Sequence, residues 1–303
     1  QVIVLPIVVP GNVVSDQFLC FDSLASPIYM DTISYGGDNN FSYQWEFSTD
    51  GSSWNEVLGA DTTIYNPGFM NLSTFYRLKV ASTYNSNCID RYSNILDVHV
   101  YDPLSSGVIS SSQDICYNTE PDYLSFTVLP SGADGNYTYI WQKLSVNNTS
   151  WLDIPLTDSI IYQPPVLDST RYFRAVVISD FGCGTVNTSS LMINVYEEFI
   201  TGSINTTDTI CYNTAASIIN TINPPTGGHT PYSYEWSYSN DAINWTNIPS
   251  NNIPSYNPSL LIDTTYYRVN YISNSGCGQL LSNTSQVIVL PIVVPGNVVS
   301  DQF

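Results

Sequence analysis

The segment Tyr43–Phe47 reads YQWEF, with aromatic residues alternating with polar ones, and Tyr234–Tyr238 repeats the alternation as YEWSY. A period of two residues places one face of a strand in a core and the other in water, whereas a helix would repeat about every 3.6 residues. No segment of the sequence shows a sustained helical period of about 3.6 residues. The sequence therefore predicts an all-β protein with Trp45 and its counterparts in the core.

Outward from this segment, landmark residues recur at spacings of 94 to 96 residues. They are the core tryptophans Trp45, Trp141 and Trp236, the first cysteines Cys20, Cys116 and Cys211, and the second cysteines Cys88, Cys183 and Cys277. In addition, Gln1–Phe18 is identical to Gln286–Phe303, so a longer unit of 285 residues holds three such modules. Self-similarity at a fixed period indicates a tandem array.

Each module combines several short strand patterns, turn signals such as Asp50-Gly51 and one tryptophan on its third strand. About seven short strands around a central tryptophan are typical of an immunoglobulin-like β-sandwich. Because only a few residues connect the modules, we expect a semi-rigid rod. The predicted boundaries are 1–6 for the last strand of a preceding module, 7–101, 102–197 and 198–291 for modules 1 to 3, and 292–303 for the start of the next module.

The charge balance restricts the partners. Seven Lys and Arg stand against 26 Asp and Glu, giving a net charge of −19. Such a chain repels nucleic acid and anionic membrane surfaces, since both are bound through basic residues. No apolar run is long enough for a membrane-spanning helix, so we expect no direct membrane insertion in this segment. The charge suits a long, soluble surface polymer that repels its own copies.

The six cysteines, two in each module and without a C-x-x-C pair, are predicted to form structural disulfides in an oxidising compartment. The simplest pairing lies within modules and joins Cys20 to Cys88, Cys116 to Cys183 and Cys211 to Cys277. The alternative joins Cys20 to Cys183 and Cys116 to Cys277 across the joints, and leaves Cys88 and Cys211 for neighbouring units. The pairing across the joints avoids an objection to the pairing within modules. The two cysteines of one sandwich would lie at opposite ends, whereas a disulfide needs Cα atoms within about 7 Å. We expect the simpler pairing.

Catalysis is not expected. His99 and His229 occupy non-equivalent positions, and no nucleophile or metalloprotease signature accompanies either. No cofactor is expected. Calcium is the metal that the acidic turns Asp38-Asn39-Asn40 and Asp134-Gly135-Asn136 could bind, but module 3 has His229 there, and solvated turns are the better interpretation.

A second tryptophan follows the core tryptophan in each module, at Trp54, Trp151 and Trp245. We expect it to cover an edge of the sandwich. The alternative is an exposed platform on which a sugar stacks, next to Asn55, Asp153 and Asn247.

Asp followed by Ser or Thr and then an aliphatic residue or Thr occurs more often than composition predicts. The acceptor residues are Ser23, Thr32, Thr62, Ser159, Ser169, Thr209 and Thr264. The pattern resembles the O-glycosylation signal of exported Bacteroidota proteins, and O-linked glycans are therefore predicted at these seven residues. The alternative is that Asp-Ser/Thr pairs simply begin strands after turns.

The run Gly227–Trp236, GGHTPYSYEW, resembles the immunoglobulin-like repeats of giant Bacteroidota surface proteins. The same holds for four shorter motifs, Ile115-Cys116, Tyr266–Arg268, Gly276-Cys277 and Ser282-Asn283. Modules 1 and 2 lack the Pro-Tyr of this run. The resemblance covers all three modules and points to gliding-motility adhesins exported by type IX secretion. It implies an extracellular cell-surface filament, anchored in the outer membrane elsewhere in the chain.

In such a filament the repeats would be a stalk that extends adhesive regions and transmits force in gliding motility or attachment. Its partners would be neighbouring repeats and a surface polysaccharide or substratum. Two alternatives stay open: modules that bind carbohydrate or a receptor through the second tryptophans, and subunits of a surface layer or pilus.

Overall fold

A computed structural model describes residues 4–14, 16–84, 89–147 and 149–296. Module 1 contains β1 (Val13–Val14), β2 (Gln17–Leu19), β3 (Ser23–Leu24), β4 (Ile28–Met30), β5 (Phe41–Ser48), β6 (Asn55–Glu56), β7 (Ile64–Tyr65), β8 (Phe69–Met70), β9 (Thr74–Ser82), β10 (Arg91–Tyr92) and β11 (Leu96–Val100). Module 2 contains β12 (Val108–Ile109), β13 (Gln113–Ile115), β14 (Leu124–Val128), β15 (Tyr137–Ser145), β16 (Leu152–Asp153), β17 (Ile161–Tyr162), β18 (Arg171–Ser179), β19 (Thr185–Asn187) and β20 (Leu191–Val195).

Module 3 contains β21 (Ser203–Ile204), β22 (Thr207–Cys211), β23 (Thr214–Ala215), β24 (Ile219–Asn223), β25 (Ser233–Ser239), β26 (Thr246–Asn247), β27 (Ser255–Tyr256), β28 (Leu260–Leu261), β29 (Thr265–Ile272), β30 (Gln279–Leu281) and β31 (Ser285–Leu290). A short 3₁₀ turn, Asn274–Gly276, precedes β30. The predicted all-β architecture of tandem sandwich modules is confirmed.

Two sheets pack face to face in every module. The smaller has the order β1-β4-β7 in module 1, β12-β14-β17 in module 2 and β21-β24-β27 in module 3. The larger has the order β2-β11-β9-β5-β6, with β10 beside β9, and modules 2 and 3 repeat this order. All strand pairs in these sheets are antiparallel except the first of the larger sheet, in which β2, β13 and β22 run parallel to β11, β20 and β31. This parallel pair decides where the cysteines lie.

The core tryptophans fill the space between the sheets. All three are fully buried, on β5, β15 and β25. A buried indole N–H needs an acceptor, and each donates to a backbone carbonyl on the loop before the next strand of the smaller sheet. The acceptors are Thr62 at 2.9 Å, Ser159 at 2.9 Å and Ile253 at 3.0 Å. The same bond in three modules ties the larger sheet to the loop that leads into the smaller one.

Each module has two distinct ends. In module 2 the N-terminal pole holds the turn at Ser131–Ala133 and the turn that joins β18 to β19, and a bond from Ser179 Oγ to Asp134 Oδ1 (3.0 Å) ties the two turns together. The C-terminal pole holds the end of β20 and, through the parallel pairing of Ile115 with Val195, the residues that follow β13. Cys116 therefore lies at the C-terminal pole and Cys183 at the N-terminal pole.

Candidate functional site: the stapled joints

Two disulfides cross the joints between modules. Cys20 is bonded to Cys183 and Cys116 to Cys277, with 5.2 Å between the Cα atoms in both bridges. We call them staple 1 and staple 2. The expected pairing within modules is wrong, because each of the three predicted pairs contains a cysteine that is bonded elsewhere. Within the described part of the chain, Cys211 is free and exposed, whereas Cys88 lies outside the described residues.

The two cysteines of one module cannot pair because they lie at opposite ends of a long strand. β18 spans nine residues between the poles of module 2, roughly 30 Å at about 3.3 Å per residue. Cys116 and Cys183 lie at opposite ends of that distance and cannot meet. Consecutive modules, in contrast, place the C-terminal pole of one against the N-terminal pole of the next, so the first cysteine of one module faces the second cysteine of its successor.

The backbone reinforces each joint. The segment that leaves module 1 accepts a hydrogen bond at Asp102 O from Ala133 N–H (2.8 Å), and the segment that leaves module 2 accepts one at Glu197 O from Gly228 N–H (2.8 Å). Gly132, the residue before Ala133, has φ +83, and a Cβ added there would overlap the carbonyl oxygen of Pro103. Glycine is needed at this position because the linker passes where a side chain would be.

Aromatic side chains fill the same gaps. At the first joint the rings of Tyr101 and Phe181 meet edge to face, with 5.2 Å between centroids. At the second, Tyr196 lies 4.7 Å from the ring of His229, whose Nδ1 is 2.8 Å from Ser275 Oγ. His99 packs against Tyr101, 5.0 Å between centroids. Both histidines thus lie next to joints, in packing contacts.

The acidic turns considered for calcium are held by hydrogen bonds instead. Asp38 accepts from Ser82 Oγ at 2.6 Å, and Asp134 accepts from Asn136 Nδ2 at 2.9 Å and from Ser179 Oγ. These bonds, chiefly from Ser82 in the first case and from Asn136 in the second, lower the pKa of both carboxyl groups. Among the described residues, no group of three or more His, Cys, Asp or Glu side chains is arranged to hold a metal ion.

The second tryptophans are covered on one face by arginine. The guanidinium carbons of Arg77, Arg174 and Arg268 lie 4.1, 4.4 and 4.0 Å from the ring centroids of Trp54, Trp151 and Trp245. Each arginine is held by the strand beside it, through Glu46 in a 2.7 Å ion pair, Gln142 at 2.7 Å and Ser237 at 3.3 Å. A sugar would have to displace the cation to stack on that face, which a cation–π contact opposes.

None of the seven predicted O-glycosylation residues is buried. Thr32, Thr62, Ser159 and Thr209 are exposed, and Ser23, Ser169 and Thr264 are half-buried. Some also hold the backbone: Thr62 Oγ1 donates to Ile64 O within a turn (2.7 Å), and Thr264 Oγ1 accepts from Val289 N–H on β31 (3.2 Å). These two hydroxyl groups lie near the surface and are engaged in hydrogen bonds.

Sequence reasoning missed two sets of structural residues. The first set is an asparagine that follows a serine in modules 1 and 3, in the pairs Ser93-Asn94 and Ser282-Asn283. Asn94 and Asn283 clamp the first strand of the smaller sheet, each bonding both backbone groups of Val13 or Ile204 at 2.8 and 2.9 Å. Ser82, Ser179 and their counterpart Ser273, which holds His229 N–H at 2.7 Å, tie the turns of the N-terminal pole. Their recurrence at the end of one long strand was the available signal.

These features define a tandem immunoglobulin-like repeat protein with covalently bridged modules. The chain belongs to the family described as Domain of unknown function (DUF8696), which matches residues 9–102, 105–197 and 200–291. No curated protein matches the chain in sequence. None of the described residues forms a helix that is long and apolar enough to cross a membrane.

Solved multidomain structures align with most of the chain at low identity. Three N-terminal domains of the bacteriophage RB49 Highly Immunogenic Outer Capsid protein match with a TM-score of 0.42 and 11% identity, over 94% of this chain and 99% of that chain. Titin domains A168–A170 give 0.40 and 12%, over 92% and 97%. Drosophila N-cadherin EC1-4 gives 0.39 and 13%, over 95% and 75%.

Proposed function

We propose that the chain is part of the stalk of a long cell-surface adhesin filament, in which the modules hold adhesive regions away from the cell and transmit force. The observation that carries this proposal is the pair of interlaced staples. Staple 1 spans 163 residues and staple 2 spans 161, and each begins inside one module and ends inside the next. Each staple gives a joint a second covalent connection beside the linker, as a stalk that transmits force requires.

The remaining joint contacts support a stiff connection. Each linker is short, hydrogen-bonded to the next module and packed against its aromatic side chains, so relative rotation of the modules would break several contacts at once. The net charge of −19 favours separation of neighbouring rods, although salt confines this repulsion to about 8 Å at physiological ionic strength.

The disulfides also indicate the compartment. Stable disulfides form in oxidising environments, which favours an extracellular protein. We further propose that the filament is a Bacteroidota adhesin of the gliding-motility type, exported by type IX secretion, and that its seven Asp-Ser/Thr sites carry O-linked glycans. The surface position of all seven residues supports the last point.

The proposed transmission of force is tested on cells that display the filament. We would compare the wild type with a strain in which Cys20, Cys116, Cys183 and Cys277 are all serine, and with a Leu58→Ser control at a fully exposed side chain. We expect the staple-free strain to detach at lower shear than the control at equal surface abundance. Equal detachment would refute the proposal that the staples transmit force.

Two further measurements address the finer claims. The intact mass of the native polypeptide should far exceed the 33.6 kDa of this chain, whereas a subunit of about this mass would favour a surface layer or pilus. Peptide mass mapping of the native protein should show glycan masses at Asp-Ser/Thr sites, and unmodified peptides at all seven would refute the glycosylation.

A further inference from the structure

The C-terminal pole of module 3 carries a cysteine in the position of two bonded ones. Cys211 ends β22, which runs parallel to β31 and pairs Cys211 with Leu290. Cys20 and Cys116 follow β2 and β13 in the same arrangement, and each is bonded to a cysteine in the module that packs on that pole. Cys211 is exposed, and no cysteine among the described residues is bonded to it. By analogy with Cys20 and Cys116, Cys211 is placed to meet a cysteine of a module that packs on this pole.

A second observation, independent of the cysteine, comes from an identical sequence in two settings. Leu5–Gly11 and Leu290–Gly296 both read LPIVVPG. In the first copy Val8 is 6% exposed and belongs to the core cluster of module 1, and Val9 N–H donates to Tyr35 O at 2.8 Å. In the second copy the twin of Val8, Val293, is 89% exposed, and Val294 is 82% exposed.

The first copy shows in detail what covers this segment. Pro6 O accepts a hydrogen bond from Gly37 N–H at 2.9 Å, as Asp102 O and Glu197 O do at the two joints. A Cβ added at Gly11 would overlap Thr32 O, so the segment lies tightly against module 1. The same residues after β31 are left as an exposed apolar segment beside the thiol of Cys211.

We propose that the C-terminal pole of module 3 is a half-built joint whose partner is a further module of the module 1 type. Residues 290–296 would dock as residues 5–11 do, and Cys211 would form a third staple with the second cysteine of that module, the counterpart of Cys88, Cys183 and Cys277. The biological use of this joint rests on the stalk function, whereas its chemistry does not.

The bond forms by oxidation of two thiols. The two S–H bonds break, one S–S bond forms, and two electrons and two protons pass to an oxidant. Oxidised glutathione serves as that oxidant and leaves as two molecules of reduced glutathione. The separation across the new staple would be 162 residues if the appended module repeats module 1, between the 163 and 161 of staples 1 and 2.

The test extends the chain in register. Because residues 286–303 repeat residues 1–18, residues 1–303 followed by a second copy of residues 19–101 complete a fourth module with the sequence of module 1. Tyr84→Phe in the appended copy marks its peptide by mass next to the cysteine. After oxidation with glutathione, non-reducing peptide mapping should join Cys211 to the marked peptide, while staples 1 and 2 form in the same sample.

Two results would overturn the proposal: Cys211 that stays open to alkylation while staples 1 and 2 are complete, or Cys211 joined to the unmarked Cys88 peptide, which would mean a bond between separate copies. A Cys211→Ser variant of the extended chain tests docking without the bond. There, amide exchange at Val294 should slow by about tenfold or more relative to the 303-residue chain, because its N–H would gain the partner that Val9 has. Unchanged exchange would refute the docked segment.

Discussion

Removing staples should lengthen the fully stretched chain in a strongly non-additive way. Under tension the load follows the shortest covalent path, which runs from the first residue to Cys20, across staple 1 to Cys183, back along the chain to Cys116, and across staple 2 to Cys277 and the last residue. Its chain segments have 19, 67 and 26 residue steps. At about 3.5 Å per residue the stretched path measures about 390 Å, against about 1,060 Å for the chain without staples.

Each single variant has a defined outcome because the other staple takes over the load. With Cys116→Ser the path uses staple 1 alone and grows by about 95 Å, and with Cys20→Ser it uses staple 2 alone and grows by about 100 Å. The double variant loses both paths and grows by about 660 Å. The two single effects together account for less than a third of the double effect.

Single-molecule force spectroscopy on the 303-residue chain, tethered at its ends, measures these contour lengths. Cys211→Ser is the matched control and should leave the length unchanged, whereas wild type in reducing agent should match the double variant. Disulfides within modules would give a different result: each lost bridge would release about 240 Å and the effects would add. Additive increments of that size would refute the interlaced arrangement.

Three further predictions concern single residues. Asn283→Ala removes both bonds to the buried backbone of Ile204 and should destabilise module 3 by about 2 kcal/mol in urea unfolding, with Asn283→Asp, which keeps the acceptor, losing less. Gly132→Ala should cost about 2 kcal/mol more than Gly135→Ala, because both glycines have positive φ but only the first meets the linker. Hydrogen bonds from Asn136 and Ser179 lower the pKa of Asp134 in the folded state. The ionised carboxylate therefore contributes to folding stability above about pH 4, and this contribution is lost as the pH falls through the folded-state pKa. The protection of amides at the N-terminal pole, measured relative to their intrinsic exchange rate at each pH, should therefore fall in acid, and Asp134→Asn should remove that dependence.

Each of these outcomes has a clear counter-result. Equal stability of wild type and the alanine variant at the asparagine clamp would mean that water replaces both of its bonds. Equal costs for the two glycine variants would mean that the linker moves away freely. An acid response that survives Asp134→Asn would assign the pH dependence to other carboxylates.

The fold was accessible from the sequence because its signals are local. The two-residue alternation around Trp45 fixes a half-buried strand, and the recurrence of that tryptophan counts the modules. The indole fills the same place in each core for the same reason, since the gap between two packed sheets needs one large side chain with an acceptor for its N–H. No knowledge of strand pairing is required for these steps.

The joints were less accessible because they depend on pairing between distant segments. Cys20 reaches the C-terminal pole only because the chain leaves the smaller sheet after β1 and β2 pairs in parallel with β11 of the larger sheet. No residue of β2 indicates this pairing in the sequence. The arginine above each second tryptophan is hidden for a similar reason. Arg77 reads as the polar member of an alternating strand, and its contact with Trp54 follows from the antiparallel register of β5, β6 and β9.

The overlap of the staples has a consequence for the whole array. Staple 2 begins at Cys116, before staple 1 ends at Cys183, so residues 116–183 lie inside both loops. If a module unfolds under load, the covalent path through the neighbouring staples limits how far its chain can extend. Bridges within modules would protect each sandwich separately but leave every linker as a single unprotected strand. Interlaced bridges protect the linkers as well, because each described joint is crossed by both the chain and a disulfide.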